Sequence, residues 1–293
     1  MEILQELDPE GVYSRQKKRL RRRTYHVPGP DFIWHLDGYD KLKPFGFSIH
    51  GCVDGFSQKI MWLKVGKTNK DPELIASYYL DTIRTSRKIP ARLRSDDGTE
   101  HSLIEPIQIT LRLDHDDEFS GISSYIVGTS PANQRIESLW SQFTKDRIMW
   151  WRDFFSDLSA MDMIDKSLPI IQDCLRYCFI HLIRNDLDEF TKRLNTHLIA
   201  ESKGAIVPNG RPNCLYHLPH LYHTESFSKQ VDFDTLEQFD HLNAEMGDDT
   251  SEEFDELADL ILTQNHMSTD KRDTPAKALD LYVFLLQKIE EFS

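Results

Sequence analysis

No apolar run in these 293 residues approaches the length of a membrane span. The opening stretch, Met1 to Glu10, is too acidic for a secretory leader. Cysteine is scarce: Cys52, Cys174, Cys178 and Cys214 make no paired CxxC framework, so neither a disulfide scaffold nor a zinc ribbon is expected and a reducing compartment is. Basic charge is also short. The net charge of −13 argues at first sight against a nucleic-acid partner. That deficit is local, because Val231 to Leu262 holds twelve acidic residues and no Lys or Arg, leaving the rest of the chain at −1. Asp232 to Asp259 is too acidic to lie on DNA and reads as a solvated or partly disordered segment that covers a basic surface.

What the chain does have begins with a basic tract. Arg15 to Arg23 carries seven Lys or Arg, among them Lys17, Lys18, Arg21, Arg22 and Arg23. Such a tract serves as a nuclear-import address, a generic solvated arm or an arm laid along a phosphate backbone. From Pro28 the pattern changes to short β-branched and aromatic runs alternating with helical stripes. Strands are expected at Asp31 to Tyr39, Phe45 to Asp54, Ser57 to Val65, Ala91 to Arg94 and Ile122 to Val127. The second and third form a hairpin turned by Asp54-Gly55-Phe56-Ser57. Leu74, Ile75, Tyr78, Tyr79 and Ile83 put a helical stripe on Pro72 to Ser86, and a further helix is expected over Thr99 to Leu113. The result is a mixed five-stranded sheet with helices on both sides.

Acidic residues stand at unusual places in that pattern. Phe32, Ile33, Trp34 and Leu36 suit a buried strand, yet the run delivers Asp37 into what should be the middle of a sheet. Ala91 to Glu100 repeats the device, ending in Asp96 and Asp97 before a Gly turn. Pro131 to Trp140 reads as a loop running into a helix with Glu137 on an early turn. Each carboxylate alone has an ordinary account: Asp37 capping the Gly38 turn, Asp96 and Asp97 in an Asx-turn, Glu137 as an exposed helix residue. Together, in order, they suit hard divalent cations, which prefer carboxylate oxygens.

Trp34-His35-Leu36-Asp37, Ser95-Asp96-Asp97-Gly98-Thr99-Glu100 and Asn133-Gln134-Arg135-Ile136-Glu137-Ser138 resemble the D, D, E motifs of the retroviral-integrase-like catalytic core. That core belongs to the ribonuclease H-like superfamily. With Gly38-Tyr39-Asp40 to Gly46 and Gly210-Arg211-Pro212, the chain is similar to eukaryotic integrase-core proteins of mobile-element origin. The resemblance implies a ribonuclease H-like α/β core with a mainly helical C-terminal extension. It implies catalytic and metal-ligating roles for Asp37, Asp96 and Glu137, holding two Mg²⁺ or Mn²⁺ ions about 3.5–4 Å apart. Asp37 would bridge both ions, Asp96 would complete one shell and Glu137 the other. Arg135, Lys145 and Arg147, on the helix that faces DNA in the family, are the implied phosphate contacts.

The sequence departs from the family in three ways. Asp97 stands where Asn is usual and adds negative charge beside the site. The spacing from Asp96 to Glu137 is longer than in typical viral members, the surplus falling in Asp114 to Ser120, an acidic loop read as solvated. No His/Cys zinc module precedes the core. Two readings follow: a DNA integrase or transposase that cuts and joins DNA ends, or a domesticated, non-catalytic derivative that binds DNA or protein. DNA as partner, self-association and a nuclear location are expected, and a membrane is not.

Further along, Leu168 to His197 has a helical apolar pattern, with Cys174 and Cys178 one turn apart in its packed face. Trp140, Trp150 and Trp151 are expected to pack beneath their helix rather than stack on bases. His217, His220 and His223 have a tempting three-residue spacing, but Pro219 breaks any helix between them and core or surface roles are favoured over zinc. Thr274 to Phe292 forms an amphipathic helix. The chain divides on this reading into a basic arm (1–27), the integrase-like core (28–151), a helical extension (152–223) and an acidic segment with a last helix (224–293).

Overall fold

The computed structural model describes residues 27–128, 133–165, 167–199, 209–242, 249–267 and 272–292. The basic tract with Lys17, Lys18, Arg21, Arg22 and Arg23 lies outside these residues. Strands β1 (Ile33–Tyr39), β2 (Ser48–Asp54) and β3 (Ile60–Gly66) form an antiparallel meander. Helix α1 (Pro72–Ser86) follows as its stripe requires. Asp71 caps it by accepting from the Glu73 amide at 2.9 Å, Pro72 opens it, and Arg87 closes it in a left-handed turn at φ 55°.

A two-residue strand β4 (Lys88–Ile89) precedes β5 (Arg92–Ser95). A short 3-10 turn, Thr99–His101, then leads into α2 (Ile104–Leu111), so the helix expected over Thr99 to Leu113 is broken. Strand β6 (Tyr125–Val127) is also shorter than expected. Gly121–Ser124 is a 3-10 turn rather than strand, its Gly121 at φ 56° and the Ser124 hydroxyl bonded back to the Gly121 carbonyl at 2.6 Å. The sheet order is β3-β2-β1-β5-β6, with β1, β5 and β6 parallel. This is the mixed five-stranded, ribonuclease H-like arrangement.

Helix α3 (Gln134–Phe143) runs through a π turn, Thr144–Ile148, into α4 (Met149–Ala160). The 28-residue α5 (Pro169–Thr196), the short α6 (Pro212–His217), β7 (Lys229–Gln230, paired with β4) and α7 (Phe233–Glu237) come next. Helices α8 (Glu252–Gln264) and α9 (Pro275–Phe292) complete the chain. Among the described residues no helix is long and apolar enough to cross a membrane.

Two cores flank the sheet. One packs Trp34, Leu36, Cys52, Trp62 and Leu93 against α1 and α2. The other packs Ile49, Val65 and Tyr39 against α3, α4 and α5, with Cys174 and Cys178 inside it. Trp140 and Trp151 are buried there while Trp150 is about half exposed, so two of the three tryptophans pack as expected.

The acidic segment is not a solvated coil where it is described. Phe254, Ala258, Ile261 and Leu262 all face the second core, a spacing of four, three and one that makes one helical stripe. Ser251 caps α8, and Glu252, Glu253 and Asp255 sit in its first turn, where the helix dipole favours negative charge. Asp249 pairs with Arg184 at 2.7 Å and Asp240 with Arg84 at 2.8 Å. Net charge hid an amphipathic helix whose acidic side faces outward.

Candidate active site

β1 carries Asp37, and alternation along the strand puts His35 and Asp37 on one face, toward α3. β1 pairs with β5 in parallel at Ile33–Arg92, Trp34–Leu93 and His35–Arg94. Continuing that register by two residues sets Asp96 beside Asp37. Asp96 is half-buried and Asp97 exposed, so of the two neighbours Asp96 is the one turned inward.

Helix α3 supplies the opposite wall. Ile136, Leu139, Trp140 and Phe143 are its buried stripe. Glu137, Trp140, Ser141 and Thr144 line a cleft of about 510 Å³ together with Asp37, Gly38 and Tyr39. The helix is fixed to β1 at three points. Asn133 Oδ1 lies 2.6 Å from His35 Nδ1 and its Nδ2 donates to the Leu36 carbonyl at 3.0 Å. Burial pushes His35 down to about 4, so the imidazole is neutral and its proton sits on Nδ1, facing Asn133. The Trp140 indole donates to Asp37 Oδ2 at 3.0 Å, and the Tyr39 and Thr144 hydroxyls meet at 2.6 Å.

Trp140 reaches Asp37 because residue 51 is glycine. Asp37 pairs with Gly51 across β1 and β2, and a Cβ on Gly51 would fall 2.7 Å from the Trp140 ring. The buried ring has nowhere to retreat. Gly51→Ala is therefore expected to destabilise the fold by about 1–3 kcal/mol and to shift the tryptophan near-ultraviolet signal, measured by urea unfolding and circular dichroism.

Electrostatics bind the three carboxylates into one set. Burial raises the Asp37 carboxyl to about 7, with Asp96 and Glu137 adding to the rise and the Trp140 hydrogen bond opposing it. Both acids thus lie close enough for their charges to act on Asp37. Asp37 and Asp96 are half-buried and Glu137 is exposed, with Asp37 and Glu137 on the walls of the cleft; carboxylates so grouped are a donor set for a hard divalent cation.

The cationic candidates divide. Lys145 is exposed and Arg135 half-buried on α3 and its extension. Arg147 is engaged within the chain, 3.3 Å from both Asp186 and Glu189. His217 lies 3.2 Å from the Lys59 ammonium, where zinc would meet a cation instead of a ligand.

A family model described as Integrase core domain matches residues 24–226 of the chain. This protein belongs to the integrase core domain family. The matched span ends at Ser226, whose hydroxyl donates to Asp31 Oδ2 at 2.9 Å and so closes the integrase core onto the start of β1. The integrase core is also similar to a chain in the cryo-EM structure of a simian T-cell lymphotropic virus intasome in complex with the PP2A regulatory subunit B56 gamma. That likeness has 15% identity and a TM-score of 0.36, covers 71% of this chain and spans 64% of the other. No curated protein matches.

Several residues of this site were not legible as functional. Trp140 reads as packing, yet its position three residues after Glu137 is a helical-face signal. Asn133 opens the third motif without announcing its grip on β1. Glu100 and His101 close the second motif and fold back beside Asp96.

Proposed function

We propose that this integrase core is a DNA-strand transferase whose metal-binding carboxylates are Asp37, Asp96 and Glu137. The observation that carries the reading is Asp37, drawn up by burial and by the charges of Asp96 and Glu137, in a cleft that Glu137 also lines. Such an arrangement is unfavourable without a cation and suited to one with it. When bound, a pair of Mg²⁺ or Mn²⁺ ions supplies charge neutralisation at the attacking and leaving oxygens of a phosphodiester.

The chain's own residues set the geometry. Asp37 is held by the Trp140 indole, so one carboxylate oxygen has a fixed direction before any ion arrives. Asn133 ties the Glu137 helix to the Asp37 strand on both sides of Leu36. Arg135 and Lys145 lie on the same helical rod as Glu137 and are the proposed phosphate contacts. The tract with Lys17, Lys18, Arg21, Arg22 and Arg23 adds a nuclear address or a DNA arm. Self-association is part of the proposal, since joining two DNA ends requires more than one copy.

One observation favours the binding-only reading. Arg147 is occupied by Asp186 and Glu189, which removes a cation from the DNA-facing side. Incubation of labelled donor ends with Mn²⁺, comparing the native chain with Asp37→Asn and Glu137→Gln, separates the two. The transferase reading expects cut and joined products from the native chain alone. Equal inertness of all three proteins, with DNA still bound, establishes the binding-only derivative.

A further inference from the structure

Beyond β5 the chain turns through Gly98 into Thr99–His101, and the turn folds Glu100 and His101 back onto Asp96. Ligand atoms of Asp96, Glu100 and His101 all lie within 4.8 Å of one another. Asp96 Oδ1 and His101 Nδ1 are 3.4 Å apart. Glu100 and His101 are each only 3% exposed. Asp96 Oδ1, Glu100 Oε2 and His101 Nδ1 nevertheless lack any hydrogen-bond partner. Buried polar atoms are almost always satisfied, so three poorly satisfied ones gathered within 4.8 Å of one another point to an occupant between them.

We infer that Asp96, Glu100 and His101 form a divalent transition-metal site, for Mn²⁺ or Zn²⁺, beside the cleft of Asp37 and Glu137. Two carboxylates and an imidazole are a borderline donor set, which Mn²⁺ and Zn²⁺ accept more readily than Mg²⁺. The surrounding residues act on the site in two ways. Lys70 holds Glu100 Oε1 at 2.6 Å, leaving Oε2 to the ion. His50 Nε2 stands 3.3 Å from His101 Nε2, and the Trp62 indole donates to His50 Nδ1 at 3.0 Å. Lys70 acts as such an outer group for Glu100, whereas the His50 contact holds the His101 ring in its ion-free tautomer.

The rings also record what binding must change. Trp62 can only donate, so His50 accepts at Nδ1 and carries its proton on Nε2, facing His101. Ligation through His101 Nδ1 moves that ring's proton to Nε2, and two N–H groups then face each other. His50 must therefore give up either its Trp62 or its His101 contact when the ion enters. A bridging water is the competing occupant, donating to both carboxylates and accepting from His101. It leaves Glu100 and Asp96, with Asp40, set against the Lys70 ammonium, whereas a divalent ion neutralises the two carboxylates it binds.

The site shares Asp96 with the proposed transferase centre but needs no DNA chemistry, so it is tested on binding alone. Full-length Asp37→Asn/Glu137→Gln protein is titrated with Mn²⁺, and bound ion is followed by electron paramagnetic resonance. One bound Mn²⁺ with a nitrogen coupling from imidazole is expected, displaced by Zn²⁺. Glu100→Gln weakens it by about tenfold or more, and His101→Asn abolishes the nitrogen coupling. If His101→Asn fails to fold, the coupling in the parent together with the Glu100→Gln affinity decides. No bound Mn²⁺ in the parent, a bound ion without nitrogen coupling, or an affinity unmoved by Glu100→Gln means a bridging water only and overturns the site. DNA cutting and joining are absent from the readout, so this site and the transferase reading fail separately.

Discussion

On the proposed transferase reading, Asp37→Asn is expected to abolish Mn²⁺-dependent DNA cutting and joining while making the metal-free protein more stable. The loss should reach about three orders of magnitude, since ~4 kcal/mol of charge stabilisation at a phosphodiester would be lost with a carboxylate that would hold the ions. The stability gain follows from the shifted carboxyl. In the folded chain Asp37 titrates near 7, against 3.8 when unfolded. Between those values the native state holds a proton that the unfolded chain has lost. Native stability therefore falls as pH rises from about 4 to about 7, and above 7 the whole penalty is present.

Asn carries no charge and removes that slope. Screening at a half-buried site reduces the gain, leaving about 2 kcal/mol in favour of Asp37→Asn at pH 8. Added Mn²⁺ should reverse the order, because an ion that binds only the native state stabilises the protein that holds it. Thermal melts at pH 5 and pH 8, with and without Mn²⁺, check all three signs. A native chain whose melting temperature ignores both pH and Mn²⁺ would sink the carboxylate cluster.

The second large effect concerns α9. Tyr282 is fully buried against Phe179, with ring centroids 6.1 Å apart, and its hydroxyl donates to the Met163 carbonyl at 2.8 Å. Tyr282→Ala empties a core position and orphans that carbonyl, so a loss of about 3–5 kcal/mol is expected. The sheet and the Asp37 cleft are built from other residues, so surviving folded protein should keep its Mn²⁺ response. Urea unfolding measures the loss. A change under about 1 kcal/mol would show α9 to be a loosely attached appendage rather than a wall of the second core.

Asp37 was conspicuous in the sequence because its chemistry conflicts with its surroundings. A carboxylate at the end of an apolar strand stands out against pattern, whereas an acid on the first turn of a helix does not, and Glu137 was singled out by the resemblance of its motif. Tyr282 and Leu285 were legible as part of an apolar stripe on the last helix, though not which surface they would cover. The acidic stretch was misread because summed charge ignores direction: the carboxylates of α8 point outward while Phe254, Ala258 and Ile261 point in. His50, Glu100 and His101 were opaque because nothing in a sequence says that a residue on β2 and a turn after β5 share a wall.

By itself the sequence determined the alternation of strands and helices, the order of the three carboxylates and the boundaries of the long helices, since periodicity and turn chemistry act over a few residues. Only the tertiary structure decided that Trp140 holds Asp37 across Gly51, that Asn133 locks α3 to β1, and that His101 returns to Asp96. Those contacts join residues up to 103 positions apart, and their energies depend on distance and burial that exist only once the sheet has formed.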